Sequence, residues 1–61
     1  MDGAKDWLLN NGFIENGECY DNKKCRIYLQ NNKISIIFGE IVNNVKTTAQ
    51  MVDNLINLKL I

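Results

Sequence analysis

This chain has no histidine and no proline, only two cysteines, four scattered glycines and no excess of charge of either sign. Without histidine, the side chain that most often serves as general base and imidazole metal ligand is missing. Cys19 and Cys25 are then too few to build a zinc site. Their spacing is not C-x-x-C, and in a reducing compartment two buried thiols are expected rather than a disulfide. Gly3, Gly12, Gly17 and Gly39 lie far apart, each beside a turn or cap signal, so there is no loop to cradle a phosphate. Seven Lys and Arg balance seven Asp and Glu, which removes any global field toward nucleic acid or an anionic bilayer. No apolar run approaches the roughly 20 residues of a membrane helix. Met1-Asp2-Gly3-Ala4-Lys5-Asp6 does not open into the apolar core of a secretory signal. The expectations are a cytoplasmic location and no membrane, metal or cofactor.

The remaining candidates for chemistry are weak. Glu15 and Glu18 flank a tight turn, where full solvation gives no means of separating two carboxylate pKa values. A nucleophilic cysteine needs a base and an electropositive pocket, and Cys25 falls on the presumed core face with neither. The chain is therefore expected not to be an enzyme.

What is present is a hairpin with a legible register. Cys25-Arg26-Ile27-Tyr28-Leu29-Gln30 and Lys33-Ile34-Ser35-Ile36-Ile37-Phe38 flank Asn31-Asn32, a pair suited to a type I′ turn. That loop sets Leu29 opposite Ile34, Ile27 opposite Ile36 and Cys25 opposite Phe38, all on one face because side chains alternate along a strand. A slip by one residue would misplace them all. Arg26, Tyr28, Gln30, Lys33, Ser35 and Ile37 fall on the opposite face, which makes them the candidate partner-binding residues.

Around this hairpin the chain reads as helix, strands, helix. Asp2 is placed to cap a first helix over residues 4–10, with Ala4, Trp7 and Leu8 as its apolar stripe. Gly12 and Phe13 give a Schellman-type stop. Asn16-Gly17 marks a tight turn before a short strand at Cys19-Tyr20-Asp21. Gly39 reads as a bulge or bend, with Glu40-Ile41-Val42 continuing the strand, and Asn43-Asn44 as a turn. Thr47-Thr48-Ala49-Gln50 matches the capping box of a last helix. Its expected core stripe is Ala49, Val52, Leu55 and Ile56, widened by Met51 and Leu58, with fraying near Lys59. These 61 residues predict a single small α+β domain of modest stability. The expected architecture is a two-layer sandwich in the order α-β-β-β-α, a three-stranded antiparallel meander with both helices on one face.

In order and size alone, this arrangement resembles double-stranded RNA-binding domains. Such domains grip phosphates with a lysine cluster at the start of their second helix. The matching stretch here, Val45-Lys46-Thr47-Thr48-Ala49-Gln50, has one Lys, so the resemblance implies the fold and not the electrostatic grip.

Charge is nonetheless segregated. Residues 1–22 carry Asp2, Asp6, Glu15, Glu18 and Asp21 against Lys5, whereas Lys23, Lys24, Arg26 and Lys33 follow without an acid. The leading functional expectation is a non-catalytic protein-binding module, with Tyr28 and Ile37 as anchors in a polar rim. Small size and the abundance of Asn, Ile and Lys, whose codons are AT-rich, suggest a phage- or mobile-element-encoded inhibitor or regulator of a host protein. The alternative is a nucleic-acid-binding module in which Lys23, Lys24, Arg26 and Lys33 track phosphates and Tyr28 stacks on a base. A homodimer is a further expectation, through an unguarded Ile34–Val42 edge strand or the Met51/Leu55/Leu58 side of the last helix.

Overall fold

The computed structural model describes residues 3–61. In chain order the elements are α1 (Ala4–Asn10), β1 (Ile14–Asn16), β2 (Cys19–Asp21), β3 (Arg26–Leu29), β4 (Ile34–Phe38), β5 (Ile41–Val45) and α2 (Thr48–Asn57). All five strands pair antiparallel with their sequence neighbours, in the order β1-β2-β3-β4-β5. The α+β class is as expected, but the three-stranded meander is corrected to five strands. The reason lies in two glycines. Gly17 and Gly39 have φ of 64° and 59°, and the residues following them do not share that sign. This is the requirement of a type II′ turn, with positive φ at the first central position only. Asn16 therefore pairs with Cys19 across Gly17-Glu18, and Phe38 pairs with Ile41 across Gly39-Glu40. Gly39 is a chain reversal rather than a bulge, and Asn43-Asn44, read as a turn, lie inside β5.

The central hairpin keeps its expected register. Arg26 pairs with Ile37, Ile27 with Ile36, Tyr28 with Ser35 and Leu29 with Ile34. The ladder stops short of the expected Cys25–Phe38 pair. Its turn is corrected: neither Asn31 nor Asn32 has positive φ, so the loop is not type I′. It closes through the Gln30 N–H donating to the Lys33 carbonyl at 2.9 Å.

One apolar cluster holds the fold together. Ile27, Ile34 and Ile36 from the inner sheet face meet Ala4 and Leu8 of α1 and Met51 and Leu55 of α2, all fully buried. Each buried Leu, Ile or Met contributes about 1.5–3 kcal/mol relative to exposure. Helix α1 stops as expected, with Gly12 left-handed at φ 88° and the Phe13 N–H donating to the Leu8 carbonyl at 3.0 Å. Asp2, the expected cap of α1, lies outside the described residues; the capping position is Gly3, which makes no side-chain cap bond.

Helix α2 starts as expected. The Thr47 hydroxyl accepts from the Gln50 N–H at 3.1 Å, and the Gln50 side chain accepts from the Thr47 and Lys46 N–H groups. Its buried face is rotated from the expected one. Met51 and Leu55 are fully buried and Val52 packs against the core cluster, whereas Ala49 and Ile56 are exposed. The end of α2 is also corrected, from fraying to a cap. Lys59 adopts φ 57°, the Leu60 N–H donates to the Leu55 carbonyl and the Lys59 N–H to the Ile56 carbonyl. That bond pair is a Schellman motif with lysine where glycine is usual, and it delivers Leu60 into the core.

Of the Ile34–Val42 segment expected as a dimer edge, Ile34–Phe38 is an interior strand, paired with β3 and β5, and only Ile41 and Val42 lie on an edge strand, β5. Met51 and Leu55 are fully buried, leaving only Leu58 of the proposed helical side exposed.

Candidate functional site

The face of the sheet opposite the core is organised in two rows running across the strands. Register places Asn16, Cys19, Tyr28, Ser35 and Asn44 in one row, with Cys19 opposite Tyr28 by continuing the β2–β3 ladder one step. The second row is Ile14, Asp21, Arg26, Ile37 and Val42.

The first row is closed. Ser35 is buried although it points away from the core, and its hydroxyl donates to Asn44 Oδ1 at 2.7 Å. Cys19 is buried too, its thiol donating to the Asn16 carbonyl at 3.3 Å, yet it does not belong to the core cluster. Half-buried Tyr28 stands between these two small residues. A large ring flanked by small buried neighbours in one cross-strand row is the arrangement in which an aromatic covers its neighbours. Tyr28 is therefore as much a lid on this row as an exposed anchor.

The second row is open. Ile14 is 69% exposed and Val42 56%, and Ile37 is half-buried. Between the apolar ends the Arg26 guanidinium stands 4.0 Å from the Asp21 carboxylate, a loose surface pair of little energetic weight. An open groove of about 800 Å³ runs along this end of the sheet, bordered by Ile14, Asp21, Arg26, Ile37 and the β2–β3 turn. Exposed aliphatic ends around a solvated ion pair can bury apolar area and fix orientation by charge at one site.

The turn beside the groove is tightly built. Asn22 Oδ1 accepts from the Lys24 and Cys25 N–H groups at 2.9 and 3.0 Å. Its Nδ2 donates to the carbonyl of Leu60 at 2.7 Å, 38 residues along the chain. Asp21 Oδ1 accepts from the Lys23 N–H at 2.6 Å, and Lys23 takes φ 76°. One asparagine thus ties the groove's rim to the C-terminal cap. In the sequence Asn22 is only a polar residue of the Asp21-Asn22-Lys23-Lys24 turn.

The candidate residues divide accordingly. Arg26, Tyr28, Ser35 and Ile37 lie together on the outer face, while Gln30 and Lys33 sit at the far hairpin turn. Of the basic set, Lys23, Lys24 and Arg26 border one groove, which they share with Glu15 and Asp21. Lys33 is four residues beyond Ile37 along β4, roughly 13 Å away at strand rise. Ile14 and Val42 were missed; the signal for them lay in the two Gly-Glu loops.

Chemical groups are sparse. Glu15 lies opposite Tyr20 and Glu18 in the loop, so the two acids that flank the turn are not partners across it. Cys19 and Cys25 are free and buried, on opposite faces of the sheet. Burial, with the Asp21 carboxylate adding to it, pushes the Cys25 thiol from 9.0 up to about 11. It is therefore protonated near neutrality. Among the described residues no three His, Cys, Asp or Glu side chains gather as a metal site, and no helix is long and apolar enough to cross a membrane.

Comparison with protein-family models, with curated proteins and with solved structures gives no match.

Proposed function

We propose that this protein is a non-catalytic protein-binding module that acts by occupying a surface of its partner, as an inhibitor or regulator does, and that the outer sheet face is its binding surface. The observation that carries this reading is the open row. Ile14 and Val42 stand exposed at either end of the Asp21–Arg26 pair, on a sheet face that contributes nothing to the core cluster. Isolated exposed aliphatic residues are common; here register puts three aliphatic residues and an ion pair in one line. The protonated Cys25 and the separated Glu15 and Glu18 support a role without covalent or acid–base chemistry.

The mixture of charge in the groove favours a protein partner over nucleic acid. Glu15 and Asp21 stand among Lys23, Lys24 and Arg26, and a phosphate backbone would meet both signs. Binding that rests on phosphates weakens steeply with salt, because condensed counterions are released. A mixed apolar and polar protein interface weakens far less.

The test is affinity capture from lysate of the producing cells, with wild type beside an Ile37→Ser/Val42→Ser double variant, each washed at low and high salt. The expected result is one protein retained through the high-salt wash by wild type and lost by the double variant, both keeping a native circular dichroism spectrum. Equal capture by both, or only nuclease-sensitive material that washes off with salt, would overturn the proposal.

A further inference from the structure

Independently of the outer-face reading, we infer that the free edge of β5 is a homodimer interface, with two copies pairing antiparallel about Asn43 to continue the sheet. The two edges of this sheet are built differently. β1 is three residues long, carries Glu15 and lies against α1. β5 is five residues long, Ile41-Val42-Asn43-Asn44-Val45, with no charge and no proline, and its pairing to β4 runs without a bulge. These are the features by which an edge is left unguarded.

Backbone geometry says which groups are free. Residues flanking a two-residue hairpin loop exchange both backbone bonds, and the pattern alternates from there. The Ile41, Asn43 and Val45 positions thus bond inward to β4, while Val42 and Asn44 turn their N–H and C=O groups out to the edge.

Side-chain chemistry then selects one register. A two-fold axis that continues the sheet keeps inner faces with inner faces, so only pairings centred on Val42, Asn43 or Asn44 are allowed. Centring on Val42 sets Ile41 against Asn43 and Gly39 against Val45. Centring on Asn44 sets Asn43 against Val45 and Val42 against Lys46. Centring on Asn43 alone pairs the inner-face apolar residues with each other and the end charges with their opposites, leaving Val42 beside Asn44 as its unlike pair. Ile41, 52% exposed in the single chain, meets Val45 of the second copy on the inner face. Val42 and Asn44 exchange backbone bonds with Asn44 and Val42 of the second copy. One step further out, Glu40 meets Lys46 of the second copy at both ends. The strand is thus complementary to itself in its inner-face apolar side chains, its backbone hydrogen bonding and its end charges.

The test is light-scattering mass as a function of concentration, for wild type and four variants. Wild-type mass should rise with concentration toward that of two chains. Val42→Pro, which removes an outward N–H at an edge position where proline is tolerated, should remain a single chain with a native circular dichroism spectrum. Glu40→Lys and Lys46→Glu alone each place like charges at both ends and should weaken association about tenfold. The Glu40→Lys/Lys46→Glu double variant should recover wild-type association. A mass that never exceeds one chain, a dimer indifferent to Val42→Pro, or charge variants whose effects accumulate instead of compensating would each overturn the inference.

Discussion

Replacing Asn22 with alanine should destabilise this domain more than any other substitution of an uncharged polar side chain. The perturbation removes an acceptor shared by the Lys24 and Cys25 N–H groups and a donor to the Leu60 carbonyl. The Lys24 bond is exposed and water replaces it. The Cys25 and Leu60 bonds are partly buried, and each leaves a backbone group without its partner. A neutral hydrogen bond is worth about 1 kcal/mol net, and a stranded buried group costs about 1–3 kcal/mol, so the loss should be about 2–3 kcal/mol. A core of this size commands only about 3–5 kcal/mol, and the change should lower the melting temperature by about 10–20 °C. Urea denaturation measures it: the midpoint should fall while the slope stays that of wild type. Because the Leu60 tether holds the end of α2 against the β2–β3 turn, Cys25 should also react faster with an aromatic disulfide reagent. A loss below about 0.5 kcal/mol with unchanged thiol reactivity would refute the reasoning, since it would be no more than an ordinary surface substitution causes.

Three further outcomes are expected. Lys59→Gly should stabilise the domain by about 0.5–1 kcal/mol, because glycine adopts φ 57° without the steric cost that lysine bears there; a lower urea midpoint would contradict the cap. Stability should fall as pH rises from 9.0 toward about 11, because the folded state holds the Cys25 proton more tightly than the unfolded chain, so the contribution is complete below the lower value and lost above the higher. In Cys25→Ala that alkaline limb should be absent, as urea midpoints measured across the range will show. Ile34→Asp should unfold the protein, since it places a charge at a fully buried site, whereas Tyr28→Ala, on the opposite face, should retain a native circular dichroism spectrum; the reverse pattern would mean that the sheet faces are exchanged.

Sequence legibility varied by element. The β3–β4 register could be read because three apolar pairs and a two-residue loop agreed on one alignment. The capping box was readable because Thr47 and Gln50 perform it by side-chain type alone. The hairpin at Gly39-Glu40 was hidden because Phe38-Gly39-Glu40-Ile41-Val42 also continues a strand's alternation, and only the backbone angle of Gly39 distinguishes bending from reversing. Asn43 and Asn44 read as a turn by composition, yet in β5 each has a side-chain partner, Asn54 at 3.4 Å and Ser35 at 2.7 Å. The α2 face was ambiguous because apolar residues surround much of that helix, and packing against the sheet chose Met51 over Ile56. Lys59 could not signal a left-handed cap, because lysine carries no preference for one. The outer-face candidates Arg26, Tyr28, Ser35 and Ile37 followed from the register, whereas Ile14 and Val42 required the two strands that sequence missed.

The central claim, that the outer sheet face binds a protein partner, is tested most directly by a photo-crosslinking amino acid placed at position 26 and, separately, at position 53. Arg26 projects from the open row with most of its side chain exposed, and Asp53 is exposed on α2. Irradiated in the producing cells, the position 26 variant should give one discrete protein adduct. That adduct should be absent from the position 53 variant and abolished by Ile37→Ser/Val42→Ser. No adduct from position 26, equal adducts from both positions, or an adduct that nuclease removes would contradict the claim.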